Sequence, residues 1–342
     1  MKHPSWLTVA GIAVSILLVD APQSSGSSSV APELIEVKAK RNYYAYSQSG
    51  ELVNSLKQYE QNISCDESGN NSQLIHHQIW LNRAVALQQQ QKYHESIVCL
   101  DRALTLQNDL EQAWYRRGIA LSYLQQYSQA AFSYEQAIKI NPEEHTSWYN
   151  QGNAYKHLKQ YNKAIAAYEQ AISLKSDFHA AFYQMAKVLE TTGNYQKAIA
   201  GYQKVTYLDP DYYQAWYAQG SLLNKLEQYK SAIVVYQKIL QLQPEQHQAW
   251  YNLGNIYLQL KDYEKAIAAY EEAIAIKSDY YLAWNNRGAA LEALKQTTAA
   301  VKSYSRALHI NPDYEKALNN RRRLLLAADN ETTIPQISAT GK

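Results

Sequence analysis

The sequence predicts an all-α array of tandem helix-turn-helix repeats, and three observations carry that prediction. First, aromatic residues return every 34 positions, at Trp114, Trp148, Phe182, Trp216, Trp250 and Trp284. Second, a small residue follows each in phase, at Gly118, Gly152, Ala186, Gly220, Gly254 and Gly288, and an alanine at Ala130, Ala164, Ala198, Ala232, Ala266 and Ala300. Third, Trp148, Gln151, Gly152 and Tyr155 share one face at helical spacing, and so do Ala164, Ile165, Tyr168, Ala171 and Ile172. A fixed period between about 20 and 50 residues is the signature of a stacked array, in which each unit contacts only its neighbours.

Taken in order, the chain opens on Lys2 and His3 and an apolar run from Trp6 to Val19, the length of a signal-peptide core and short of a membrane span. Residues 1–32 form this signal-like or anchoring segment with its Ser-, Gly- and Pro-rich linker. Export, retention as a membrane anchor and a cytoplasmic location all stay open, with export favoured; cleavage after Ala21 is disfavoured by Pro22. A degenerate repeat is expected at 36–69, from the echo of Tyr134-Glu135-Gln136 in Tyr59-Glu60-Gln61. Seven units then run in phase: 77–110, 111–144, 145–178, 179–212, 213–246, 247–280 and 281–314. In each, two helices meet at a turn (Gln160-Tyr161-Asn162 in the unit 145–178), and Pro142, Pro210, Pro244 and Pro312 end the second helix because proline cannot continue it. Asn108, Ser176 and Ser278 stand in for that proline, which predicts softer joints. Glycine within a helix costs about 1 kcal/mol relative to alanine, so its recurrence implies a collision avoided; Gly152 and Ala164 are the expected close-approach pair. Leu318 and Leu325 continue a last helix, expected over 315–328, with Arg322 at the small-residue place: a solvating cap. The tail 329–342 reads as disordered.

This pattern resembles the tetratricopeptide repeat family: Trp at the fourth place of the unit, Gly or Ala at the eighth, Ala at the twentieth, an aromatic at the twenty-fourth, Ala at the twenty-seventh and Pro at the thirty-second. The resemblance covers 77–314 and implies an α-solenoid coiled into a right-handed superhelix, with a C-terminal capping helix and a concave groove lined by the first helices. Trp114, Gly118, Trp148, Gly152, Trp216, Gly220, Trp250, Gly254, Trp284 and Gly288 are the packing residues of such an array.

The buried face of each first helix is expected to centre on places four, seven, eight and eleven, which leaves places two, six, nine and thirteen, with five beside them, to the groove. There the chain offers Tyr115, Tyr149, Tyr183, Tyr217 and Tyr251, the amides Asn150, Asn153, Asn252, Asn255 and Asn286, and the cations Arg116 and Lys187. An amide both donates and accepts, which suits the backbone of an extended peptide, and tyrosine adds flat apolar contact. A similar asparagine row lines family members that present peptides to a sugar-transferring domain; the plainer alternative leaves these residues merely solvated. The family's clamp for a terminal carboxylate does not match: only Arg116 falls in register, leaving Lys187 and Lys225 as minor anion contacts.

Charge and composition exclude other classes. A formal net charge of +2 argues against nucleic acid, and a membrane enters only through the N-terminal segment. Two cysteines, Cys65 and Cys99, are too few for a disulfide scaffold or a zinc site; a single bridge between them stays open. No phosphate loop, nucleophile elbow or metal spacing is present, and His77, His145, His179 and His247 open helices rather than bind a metal. No catalytic residue, cofactor or metal is expected. The expected function is a non-enzymatic scaffold that binds an extended peptide or partner protein in its Tyr/Asn groove, in the service of an envelope or membrane complex. The alternatives are a self-associating spacer and a regulatory subunit of a separately encoded enzyme.

Overall fold

The computed structural model describes residues 77–332, with side chains through 327. The segments 1–32 and 36–69 lie outside the described residues. Fifteen helices and no strands are found among those described. One compact unit extends to Ser176 and the second begins at Asp177. The first contains α1 (His77–Gln89), α2 (Tyr93–Leu106), α3 (Glu111–Tyr123), α4 (Tyr127–Ile140), α5 (His145–His157) and α6 (Tyr161–Leu174). The second contains α7 (His179–Thr191), α8 (Tyr195–Leu208), α9 (Tyr213–Lys225), α10 (Tyr229–Leu242), α11 (His247–Gln259), α12 (Tyr263–Ile276), α13 (Tyr281–Ala293), α14 (Thr297–Ile310) and α15 (Glu315–Thr332). Inside each unit every helix packs on the next in sequence. The last helix runs past residue 328 because nothing before Pro335 stops it.

Each recurring glycine faces a tyrosine ring. A Cβ built on Gly152 would lie 2.7 Å from Tyr168 Cε1, and one on Gly118 would lie 2.5 Å from Tyr134 Cε1. Gly254 and Gly288 face Tyr270 and Tyr304 in the same way, while Gly220 is looser, 3.1 Å from Tyr236. This corrects the expected Gly152–Ala164 pair: what the glycine admits is the aromatic at place twenty-four, not the alanine at place twenty. Those five tyrosines, with Tyr202, are fully buried. The unit 179–212 inverts the arrangement. It has Ala186 at place eight and Gly201 at place twenty-three, and a Cβ on Gly201 would come 2.9 Å from that of Ala186.

The buried arc of the first helices is wider than expected. Ala113, Ser147, Ala181, Ala215, Ala249 and Ala283 at place three, and Ala120, Ala154, Val188, Leu222, Ile256 and Ala290 at place ten, are buried. The fourth-place tryptophans Trp114, Trp148, Trp216, Trp250 and Trp284 are only half-buried. The reason is that, within each unit, a first helix that follows another repeat is covered from two sides, by its own second helix and by the second helix before it. Each of these indoles spends its N–H on the carbonyl at place thirty-two: Asn108 (2.9 Å), Pro142 (2.8 Å), Pro210 (2.9 Å), Pro244 (3.0 Å) and Ser278 (3.0 Å). Asn108 and Ser278 thus keep the same tie as the prolines, since the indole reads a carbonyl and not a ring.

A second tie recurs at place seven. Arg117 donates to Asp101 (2.7 Å) and to Ser133 Oγ (2.9 Å), and Arg287 donates to Glu271 (2.7 Å) and Ser303 Oγ (2.7 Å). Both guanidinium carbons lie 5.9 Å from the centroid of a tryptophan, Trp114 or Trp284.

The turns close between Leu158 and Gln160 rather than at Gln160-Tyr161-Asn162, and Tyr161 already begins α6. Lys159 N–H donates to Lys156 O (3.0 Å) and Gln160 N–H to Tyr155 O (2.9 Å), a helix stop that holds its central residue in the left-handed region. That residue is Gln91, Gln125, Lys159, Glu227, Lys261 or Lys295, with φ between 56° and 61°; only the unit 179–212 uses a glycine, Gly193 at 80°. A left-handed non-glycine residue costs about 1–2 kcal/mol. Lys159→Gly is therefore expected to stabilise by roughly 0.5–1 kcal/mol, after the extra freedom of the unfolded glycine is deducted. Gly193→Ala is expected to destabilise by about 1 kcal/mol. Urea midpoints at unchanged slope measure both, and a lower midpoint for Lys159→Gly would refute the argument.

Candidate functional site

The outward face of the first helices holds all twelve residues singled out for the groove, each half-buried except the exposed Lys187. The place-five tyrosines stand against the buried tyrosines of the core. Ring centroids are 6.0 Å apart for Tyr115–Tyr134 and Tyr149–Tyr168, 5.7 Å for Tyr183–Tyr202, 6.0 Å for Tyr217–Tyr236 and 5.9 Å for Tyr251–Tyr270. These are ordinary aromatic packing distances, so the ladder is rooted in the core rather than free at the surface. Lys187 Nζ sits 5.7 Å over the ring of Tyr183.

The asparagines at place six reach back one repeat. Asn150 Nδ2 donates to Tyr115 Oη (3.0 Å), Asn252 Nδ2 to Tyr217 Oη (2.6 Å) and Asn286 Nδ2 to Tyr251 Oη (3.1 Å). Asn320 of the last helix makes the same bond to Asn285 Oδ1 (3.3 Å). The asparagines at place nine are held from inside: Tyr168 Oη donates to Asn153 Oδ1 and Tyr270 Oη to Asn255 Oδ1, both at 2.8 Å. Asn286 is saturated, because its Nδ2 also donates to Asn255 Oδ1 (2.8 Å) and its Oδ1 accepts from Asn285 (2.9 Å). None of this inter-repeat stitching was visible from composition; its only trace in the sequence is the spacing of 35 between a place-five tyrosine and the next place-six amide.

These bonds sort the remaining capacity. Asn150 and Asn252 have given a donor and keep the carbonyl oxygen, while Asn153 and Asn255 have used the oxygen and keep the amine. Residues three apart on a helix are neighbours. Each pair, Asn150 with Asn153 and Asn252 with Asn255, thus presents one acceptor beside one donor group.

Beside the first pair opens a cavity of about 370 Å³ between α3 and α5, floored by Ile119 and Ala154. Its walls are stacked rings. Tyr127 lies 4.3 Å from His157 at an interplanar angle of 4°, and Tyr123 lies 4.5 Å from Tyr93 at 5°. Burial and the neighbouring Lys156 hold the His157 imidazole below the usual histidine range, so it is neutral at pH 7. Two larger cavities, of about 670 and 680 Å³, lie on the other side of the first helices, against Trp114 with Phe132 and Trp250 with Tyr257. The charges of the first, Asp101 and Arg117, already pair with each other.

Among the described residues no cluster of His, Cys, Asp or Glu could hold a metal ion, and no helix is long and apolar enough to cross a membrane. Cys99 is buried and disulfide-bonded.

Tetratricopeptide repeat models match residues 111–144, 145–178, 247–280 and 281–314, and also 77–110 and 179–212; a TPR repeat model matches 220–261. No curated protein matches the sequence. Among solved structures, the C-terminal part of a TPR repeat-containing protein from Cytophaga hutchinsonii is similar with a TM-score of 0.63 at 17% identity, covering 70% of this chain and 98% of that one. YrrB, described as a TPR protein with an unusual peptide-binding site, is similar with a TM-score of 0.50 at 22% identity, covering 56% of this chain and 99% of its own. The complex of Naa15 and Naa10 bound to HypK-THB is similar with a TM-score of 0.53 at 17% identity, covering 75% of this chain and 40% of that one. At these identities the likeness shows the fold alone. With the phased packing residues, the helix pairs and the family models agreeing over most of its length, the chain belongs to the tetratricopeptide repeat family, whose arrays are generally non-catalytic scaffolds for protein–protein interaction.

Proposed function

We propose that this scaffold holds an extended segment of a partner protein along the outward face of its first helices. The observation that carries the reading is the sorting of the asparagine pairs: Asn150/Asn153 and Asn252/Asn255 each have an acceptor and a donor group left after their internal bonds are made. A peptide unit in an extended chain needs that combination. A segment bound this way is read mainly by its main chain, with the rooted tyrosines giving contact area at little entropic cost.

The test is capture from a displayed library of extended peptides. Each hydrogen bond is worth about 0.5–1.5 kcal/mol, so replacing Asn150, Asn153, Asn252 and Asn255 together with alanine is expected to weaken capture at least tenfold. Tyr115→Phe with Tyr217→Phe removes the internal ties but keeps the amides, and is expected to retain capture. Undiminished capture by the four-alanine variant rejects the reading.

Export is part of the same proposal. The apolar run from Trp6 to Val19 and the disulfide at Cys99 both favour an oxidising compartment, where a scaffold of this kind would serve an envelope or membrane complex. Free thiols in unreduced protein from the native source are expected to be absent.

A further inference from the structure

We infer that the cavity between α3 and α5 is a specificity subsite that takes one uncharged, bulky side chain, aliphatic or aromatic, from the bound segment. This rests on the extended-segment reading above and adds to it the identity of an anchor residue.

Three features carry it. The cavity adjoins the Asn150/Asn153 pair, which contributes to its lining, so a main chain held by those amides delivers a side chain directly into it. Its volume of about 370 Å³ is at the small end of the range for ligand sites and is enough for a single large side chain. Its lining has no carboxylate, ammonium or guanidinium: Ile119, Ala154 and the rings of Tyr123 and Tyr127 offer apolar contact, and the polar groups are hydroxyls, amides and one imidazole. Several of those polar groups are already occupied. Ser122 Oγ and Tyr134 Oη are 3.2 Å apart and bond to each other, and His157 is stacked flat on Tyr127. An entering aspartate or lysine would lose its water and find no opposite charge, which is costly, whereas Phe, Leu or Met would lose only unfavourable contact with water. The stacked pairs also fix the walls in advance, because each wall ring is held by a partner from the neighbouring repeat, Tyr123 by Tyr93 and His157 by Tyr127.

The experiment uses the full chain and a set of acetylated, amidated heptapeptides, Ser-Gly-Ser-X-Ser-Gly-Ser, with X as Gly, Leu, Phe, Asp or Lys. Binding is measured by isothermal titration calorimetry, and the methyl resonance of Ile119 reports separately on entry into the cavity. The Leu and Phe peptides are expected to bind at least tenfold more tightly than the Gly peptide and to shift that methyl, and the Asp and Lys peptides no more tightly than Gly. Ile119→Gln, a change at a half-exposed position, is expected to abolish the preference for Leu and Phe. Equal binding of all five peptides, lost in the Asn150→Ala/Asn153→Ala variant, would overturn the subsite and leave main-chain recognition standing. Preference for Asp or Lys would overturn the subsite alone. Absence of binding by any peptide at millimolar concentration would overturn the subsite together with the reading it rests on.

Discussion

Tyr168→Ala is expected to cost about 4 kcal/mol, because it empties a fully buried aromatic site that the neighbouring glycine was shaped to admit. Tyr168→Phe keeps the ring and loses only the bond to Asn153, for about 1 kcal/mol. The reciprocal change, Gly152→Ala, forces a Cβ to within 2.7 Å of the ring and is expected to cost roughly 1–3 kcal/mol by overpacking. The chain itself supplies the remedy. Where place eight is Ala186, place twenty-three is Gly201, which lets the second helix yield at the crossing. Copying that solution as Gly152→Ala with Ala167→Gly is expected to cost less than the sum of the two single changes. A double-mutant cycle by urea unfolding measures the coupling. Strict additivity would show that the small residues do not act as a pair and would remove the packing argument from the whole array.

How far this was legible in the sequence differs by element. The repeat boundaries and helix pairs follow from the phased tryptophans, glycines and alanines, since one face of a helix must recur wherever one packing solution recurs. The partner of Gly152 was misassigned because periodicity says that a side chain is excluded but not which group does the excluding. The left-handed turn residues left no signal at all. Lys159 and Gln125 are ordinary polar residues, and the surrounding helix stop compels a conformation that glycine would otherwise advertise. The outward tyrosines and asparagines were recognised as a face, but their bonding was not. A tie such as Asn150–Tyr115 depends on how one repeat seats on the next, and so do the clamps of Arg117 and Arg287. What remains for a ligand is thus smaller than the sequence suggests: two amide pairs and one uncharged cavity, with Asn286 withdrawn into the structure.

The second large effect is alkaline. Above pH 10 both compact units are expected to lose stability steeply, through the buried tyrosines at place twenty-four. Burial, the leading cause at each, holds the phenols of Tyr134, Tyr168, Tyr202, Tyr236, Tyr270 and Tyr304 far above the ordinary value of 10.0. At Tyr202 and Tyr304 a hydrogen bond to Glu190 and Glu292 pushes in the same direction, since ionising the phenol would set two anions against each other. The sign follows from proton counting. Between the ordinary value and the raised one, the folded chain keeps protons that the unfolded chain has released, so stability falls as pH rises. It is complete below pH 10 and is lost upward from there, by about 1.4 kcal/mol per pH unit for each tyrosine. The unit ending at Ser176 has two such groups among its described residues and loses about 3 kcal/mol per pH unit; the unit beginning at Asp177 has four and loses about 5–6. Against a typical total of about 5–15 kcal/mol, about one to three pH units suffice to unfold the second. Absorbance at 295 nm and circular dichroism at 222 nm, followed together, are expected to show a cooperative release of the buried phenolic protons that coincides with loss of helix. Tyr270→Phe with Tyr304→Phe removes two of the titrating groups and is expected to move that release to higher pH. Complete ionisation of every tyrosine near pH 10 with the helices unmelted would mean that these rings are not sealed between the helices, and the packing that orders the outward face would lose its foundation.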